Sequence, residues 1–165
     1  MAEQTNGVAR RRFFAAGALC AVLALAGCQS WLSLGEGAGA SASAAQHLAK
    51  IRSQHGLPAL VSDARLERAA LTQSGYMASS GRMTHDTGRG RDFFTRMQKD
   101  GIDSVAAENL AHGRMDLNRL FSMWMNSSGH RRNMLDPRLR RFGLASVPAK
   151  SGSDERYWTL VVADK

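Results

Sequence analysis

Cysteine is nearly absent from this chain: its 165 residues contain two, Cys20 and Cys28, both near the N-terminus. The remainder can form neither an internal disulfide nor a thiolate-ligated metal centre, so its stability must come from packing. Long hydrophobic runs are also missing. The apolar stretch over residues 13–26 is shorter than the roughly 20 residues that a membrane-spanning helix needs. No internal repeat is visible, no His-x-x-x-His ligand pair occurs, and Ser127 and Ser128 lack the sequence of a nucleophile elbow. These absences exclude a disulfide scaffold, a locally encoded zinc helix and an elbow-type serine hydrolase.

What is present begins with an export signal. Arg10, Arg11 and Arg12 precede the apolar stretch, and Leu25-Ala26-Gly27-Cys28 closes it with small residues before a cysteine. That run resembles a lipobox, which implies cleavage before Cys28 and diacylation of its thiol. Arg10-Arg11-Arg12-Phe13-Phe14 also resembles a twin-arginine motif, so either export route is open. Residues 1–27 are therefore expected to be a lipoprotein signal peptide. Residues 28–43, rich in Gly, Ala and Ser, are expected to be a flexible tether, and 44–165 a single folded domain.

The chain carries 22 basic and 14 acidic residues, a formal net charge of +8. Without residues 1–27 the balance is 19 against 13, or +6. An exported protein seldom meets nucleic acid. The charge instead favours anionic partners such as phospholipid head groups, lipopolysaccharide phosphates or cell-wall polymers, with a solvated basic face as the alternative.

Periodicity predicts a helix over residues 46–55 stopped by Gly56-Leu57-Pro58. A second, capped by Ser62 or Asp63, carries Leu66, Ala69, Ala70, Gln73 and Met77 on one stripe. Phe93, Phe94 and Met97 predict a short third helix ending at Gly101. Asp116 opens a fourth, with Leu117, Leu120, Phe121 and Trp124 on its inner face and a stop at Ser127-Ser128-Gly129. Residues 142–147 and 157–163 are β-prone and read as a hairpin, with one more strand over 105–111. Helices apart from a small antiparallel sheet indicate an α+β fold.

Met83-Thr84-His85, Ala107-Glu108-Asn109-Leu110-Ala111, the run from Trp124 through Ser127, Gly129 and His130 to Leu135, and Phe142-Gly143-Leu144-Ala145 occur in that order, after a leading Gly56-Leu57-Pro58-Ala59-Leu60. Over about residues 45–163 this resembles the bacterial branch of the CAP superfamily. Its SCP-like domain is shared with cysteine-rich secretory proteins, insect venom antigens and plant pathogenesis-related proteins. The resemblance implies an α/β/α sandwich with a central antiparallel sheet between helices, and a cleft lined by two histidines and two acidic groups. His85, Glu108 and His130 take three of those positions. Ser127 stands where many eukaryotic members carry the second glutamate, and Leu160 where the family often has glutamine.

Two imidazoles and one carboxylate can hold Zn²⁺ or another divalent cation and leave a position open for water. The same three side chains can instead form a hydrogen-bonded cluster that locks the fold. The expected function is an envelope-anchored binding module, facing the periplasm from the outer membrane because Gln29 rather than aspartate comes directly after Cys28. The alternative is a Glu/His hydrolase of peptidoglycan or peptide bonds. Arg131, Arg132, Arg138, Arg140 and Arg141 are candidates for holding a phosphate or sulfate, or for a solvated surface paired with Asp136. His112 reads as an exposed loop residue, and Asn109 and Asn133 as orienting or capping groups.

If Cys28 carries lipid, Cys28→Ala should move the protein out of the membrane fraction, since burial of acyl methylenes is worth about 0.8 kcal/mol each. Fractionation with and without detergent reads this directly. Retention of the variant in the membrane would rule out the anchor.

Overall fold

Asp63 starts the longest helix among the described residues. Its carboxylate accepts hydrogen bonds from the amides of Arg65 and Leu66 at 2.8 and 3.2 Å, and the helix runs over Ala64–Ser80 until Gly81, at φ 66°, turns the chain away. The computed structural model describes Met1 and residues 37–165. The expected signal peptide, Cys28 and most of the expected tether lie outside the described residues. In chain order the elements are β1 (Ala38–Gly39), α1 (Ser41–Gln54), β2 (Val61–Ser62), α2 (Ala64–Ser80), α3 (Phe93–Lys99), β3 (Ala106–Gly113), α4 (Leu117–Asn126), α5 (Ser128–Leu135), β4 (Arg141–Pro148) and β5 (Arg156–Ala163).

The sheet order is β1-β4-β5-β3, antiparallel along that path, with β2 forming a short parallel bridge to β4. Alternation along the strands divides the core. Phe142, Leu144, Leu160 and Val162 face α1, α4 and α5, where they meet Leu48, Leu120, Trp124 and Met134. Ala145, Val161 and Ala163 face the other way, onto Leu66, Ala69, Ala70, Met97 and Ile102. The result is an α/β/α sandwich, as the sequence resemblance implied.

Two side chains fix the helical layer to the sheet. Trp124 is fully buried, and its indole N–H donates to the Leu110 carbonyl at 3.0 Å on the outer edge of β3. Arg52 is also fully buried. Its guanidinium donates to the carbonyls of Pro58 (2.7 Å), Met134 (2.8 Å) and Asp136 (3.2 Å), tying α1 to the turn after it and to the end of α5. Burial lowers its pKa, nearby Arg140 lowers it further, and Asp136 opposes both.

The structure departs from the sequence reading in four places. First, α1 begins at Ser41 instead of Gln46, and Ala38–Gly39 pairs with β4, so residues 38–43 belong to the domain and not to a tether. The cause is tertiary: Glu67 on α2 accepts the Ser41 amide at 2.9 Å, and the Ser41 hydroxyl accepts the Leu144 amide at 2.9 Å. A Ser/Ala run with no apolar stripe thus becomes helical. Second, Ser128-Gly129 opens α5 where the sequence suggested only a stop, because the extended backbone of Ser127 (φ −100°, ψ 121°) is a corner between two helices. Third, β2 is a strand. Fourth, His112 lies in β3 instead of a loop, stacked on Tyr157 at 4.1 Å between ring centroids and 3.7 Å from Glu155.

At Gly143 the α2 backbone crosses β4 so closely that a Cβ there would overlap the Glu67 amide nitrogen and the Leu66 carbonyl carbon. Neither is a movable side-chain end. Gly143→Ala should cost about 3 kcal/mol through forced separation of helix and sheet, lowering the thermal midpoint by roughly 10 °C. A calorimetric scan within 2 °C of wild type (on the order of 0.5 kcal/mol) would show that α2 can lift off the sheet freely.

Candidate functional site

β3 carries Glu108 and Asn109 side by side, and alternation sends their side chains to opposite faces of an edge strand. Glu108 points toward α3. Its side chain is only 1% exposed, and both carboxylate oxygens are taken by Arg96: Nη1 donates to Oε2 and Nη2 to Oε1, each at 2.9 Å. This is a buried, bidentate, charge-assisted pair. His85 completes it from outside, with Nδ1 2.9 Å from the same Oε1 and 57% of its side chain in solvent. An ionised carboxylate can only accept, so Nδ1 carries the proton and Nε2 faces outward.

Arg96 does more than neutralise Glu108. Its Nε donates to the Arg91 carbonyl at 3.0 Å and its Nη2 to the His85 carbonyl at 3.4 Å. Buried Gln73 on α2 donates to the Thr84 carbonyl at 2.7 Å. Lys99 reaches the Gly90 carbonyl at 2.9 Å, and Arg91 lies over the Tyr76 ring, 4.4 Å from its centroid. The loop bearing His85 is therefore held chiefly through its carbonyls, by side chains of α2 and α3.

On the other face, Asn109 donates to the His130 carbonyl at 3.1 Å. Asn133, one turn along α5, donates to Asn109 Oδ1 at 2.9 Å and to the Glu108 carbonyl at 3.3 Å. His130 is half-buried, its ring tilted against Trp124 at 6.3 Å. Burial lowers its pKa and the nearby His85 lowers it further. The expected cluster is thus partly assembled: His85 bonds Glu108 directly, while His130 is held through its carbonyl by Asn109, the residue next to Glu108 on β3. Ser127 is the corner residue between α4 and α5, where its carbonyl accepts the Arg131 amide at 2.8 Å.

The Zn²⁺ expectation can be set against these donors. A carboxylate ligand must offer an oxygen to the metal, but both Glu108 oxygens face the Arg96 cation. Among the described residues no group of three or more His, Cys, Asp or Glu side chains converges as a ligand set. The arrangement does not fit a three-ligand zinc centre through Glu108. The arginines after His130 are also largely engaged: Arg138 chelates Asp136, whose pKa it holds at about 2. Arg141 pairs with Asp63 at 3.2 Å, and Arg140 bonds the Pro137 and Leu139 carbonyls.

Arg96 and Gln73 are the site residues that sequence reasoning misses. In the sequence Gln73 is one position of a core stripe. Arg96 sits between Phe93 and Met97 in a seven-residue helix that also carries Lys99, and a cation placed among apolar neighbours is its only sequence signal.

This geometry makes stability testable in two ways. Arg96→Met should destabilise by about 3–5 kcal/mol, because it leaves a buried carboxylate unpaired, while Arg96→Met with Glu108→Leu should recover most of that loss. Denaturant titration of these two variants and of Glu108→Leu alone measures the coupling. His130 in turn makes stability depend on pH. Its folded pKa lies below the unfolded value of about 6.5, so as pH falls the unfolded chain takes up the proton first and the fold loses stability. His130→Asn should flatten the fall in unfolding free energy between about pH 7 and 5, and an unchanged slope would assign that fall to other groups.

Comparison with known proteins agrees with the fold and the motif order. Residues 46–162 match the family model described as CAP, the cysteine-rich secretory protein family. The Bacillus subtilis protein YkwD is 33% identical over 109 residues, 66% of this chain but only 40% of YkwD itself, so this chain spans well under half the length of that relative. An extracellular protein of Bacillus anthracis containing an SCP domain superposes with a TM-score of 0.65 at 26% identity, over 75% of this chain and 40% of that one. An outer surface protein of Borrelia burgdorferi shares the fold, with a TM-score of 0.66 at 21% identity over 75% of this chain and 91% of its own. With a family model covering most of its described residues and a sheet, helices and motif order to match, the chain belongs to the CAP family.

Proposed function

We propose that this CAP domain is a lipid-anchored envelope protein that binds an anionic lipid, cell-wall polymer or protein, with little or no catalytic activity. The observation that carries the binding reading is the bidentate hold of Arg96 on Glu108. A general base must be free to reach a proton on substrate or water. The Glu108 carboxylate is buried, charge-paired and bonded to His85, so it serves to orient the imidazole and the loop. What remains available to a ligand is the outward Nε2 of His85, together with half-buried His130 across the edge of β3.

The anchoring part rests on the Leu25-Ala26-Gly27-Cys28 run. It is supported by the extracellular placement given for the Bacillus anthracis relative. Gln29 after Cys28 favours the outer membrane, facing the periplasm. The +6 balance of the chain from Cys28 onward favours an anionic partner. A hydrolase acting through Glu108, His85 and His130, with or without zinc, is the competing reading, and it requires Arg96 to release the carboxylate.

One experiment separates them. Residues 29–165 are titrated with Zn²⁺ by calorimetry at pH 7.5 and at pH 6, as wild type and as Glu108→Gln, and the same preparations are incubated with purified cell-wall sacculi. The binding reading expects weak metal uptake that declines at the lower pH as histidines protonate, no release of wall fragments, and retention of the protein on sacculi that fades with salt. Wall hydrolysis lost in Glu108→Gln would overturn it in favour of the hydrolase.

A further inference from the structure

Between α1 and α4 the domain leaves an open groove of about 270 Å³. Buried Phe121 and half-buried Ile51 and Met125 form its apolar floor, and the His47 ring is stacked on Phe121, 6.0 Å between centroids. Exposed Lys50 and Gln54 on α1 and exposed Asn118 and Ser122 on α4 complete its walls. Among the described residues no hydrogen bond or ion pair engages the side chains of those four. Two helices thus bring unspent polar groups together over an apolar floor.

The charge around this groove has one sign. α1, α4 and α5 carry Lys50, Arg52, Arg119, Arg131 and Arg132 and no acidic residue. The carboxylates at the ends of these helices are committed: Glu67 accepts the Ser41 amide, Asp116 accepts the Arg119 amide, and Asp136 is held by Arg138. Arg131 adds a second cation at the Met125 end of the groove, where its Nη1 donates to the Met125 carbonyl at 3.4 Å.

We infer that this groove binds a sugar unit of an anionic glycan. The C–H face of the ring lies on Phe121 and Ile51, its hydroxyl or acetamido groups meet Gln54, Asn118 and Ser122, and its carboxylate or phosphate meets Lys50. A volume just below the roughly 300–1,000 Å³ of pockets for drug-sized ligands suits one or two sugar rings. The other anionic partners fit less well. An acyl chain would leave the polar walls buried without partners. A bilayer takes up apolar groups that protrude, and here they lie beneath polar walls. A partner helix needs apolar contacts over several turns, against a floor of three side chains. The inference rests on the reading that the domain binds an anionic envelope polymer, and it gives that polymer a chemical class and a site sharing no residue with the histidine cleft.

Residues 29–165, which contain every helix and strand described above, are used for the test. Side-chain and backbone amide shifts are followed by NMR on adding a tetrasaccharide of alternating N-acetylglucosamine and N-acetylmuramic acid, whose lactyl groups supply carboxylates. Chitotetraose is its neutral counterpart, and glucose 6-phosphate supplies the phosphate. The groove predicts shifts of the Gln54 and Asn118 side-chain amides, with the acidic tetrasaccharide bound about three- to fivefold more tightly than chitotetraose, the worth of one exposed ion pair. Lys50→Gln should abolish that preference. Gln54→Ala with Asn118→Ala should weaken binding about tenfold and leave the thermal midpoint within about 2 °C of wild type, as exposed substitutions do. The same Lys50 dependence for glucose 6-phosphate alone would make phosphate the anionic group. Equal affinity for the two tetrasaccharides, or no response to any of the sugars at millimolar concentration, would overturn the inference. So would shifts confined to the amides around His85 and His130, or sacculus retention unchanged in the Gln54→Ala, Asn118→Ala variant; both leave the histidine cleft as the binding site. A response only to phosphatidylglycerol vesicles or only to polyglutamate would assign the groove to lipid or to an acidic protein, and would also end the proposal.

Discussion

A single buried guanidinium organises this site. Arg96 matches the charge of Glu108 with two parallel hydrogen bonds and spends its remaining donors on the carbonyls of Arg91 and His85. The strand that carries the glutamate, the helix that carries the arginine and the loop that carries the histidine thereby share one electrostatic knot. A carboxylate alone at that depth would take up a proton or stay in water. With Arg96 against it, both Glu108 oxygens are held by hydrogen bonds, and His85 inherits a defined direction from Oε1.

The other face is fixed by neutral amides. Asn109, Asn133 and the His130 carbonyl form a chain of short bonds without a charge among them, and His130 itself rests on Trp124. One half of the cleft is therefore set by ion pairing and the other by amide geometry and aromatic packing. Salt screens the first only weakly because it is buried.

The fold was legible where local signals agree with tertiary ones. The α2 stripe, the Asp116 cap and the β4–β5 hairpin are examples, each with periodicity or turn chemistry that leaves little choice. It was illegible where a distant group supplies what the local sequence lacks. Ser41 starts a helix because Glu67, 26 residues on, accepts its amide, and no window of sequence around Ser41 contains that information. Ser127-Ser128-Gly129 spells an end, because helix breakers carry no information on whether a new helix opens past the corner. The candidate site was legible through motif order, which brought His85, Glu108 and His130 into view. Spacing could not show that Arg96 already occupied the carboxylate, and that pairing decides between a metal ligand and a structural anchor.

Both borders of the sheet are closed by parts of the chain itself. On one side the outward carbonyls of β3 are capped by the Trp124 indole and the Asn133 amide. On the other, β1 and β2 lie along β4 at its two halves. An open border offers a neighbour's backbone a template for adding strands, and that hazard grows when many copies are confined to a small area. With two carbonyls of β3 turned to side chains and β4 bordered by strands of two residues each, a neighbouring copy meets only a short, interrupted template for adding a strand.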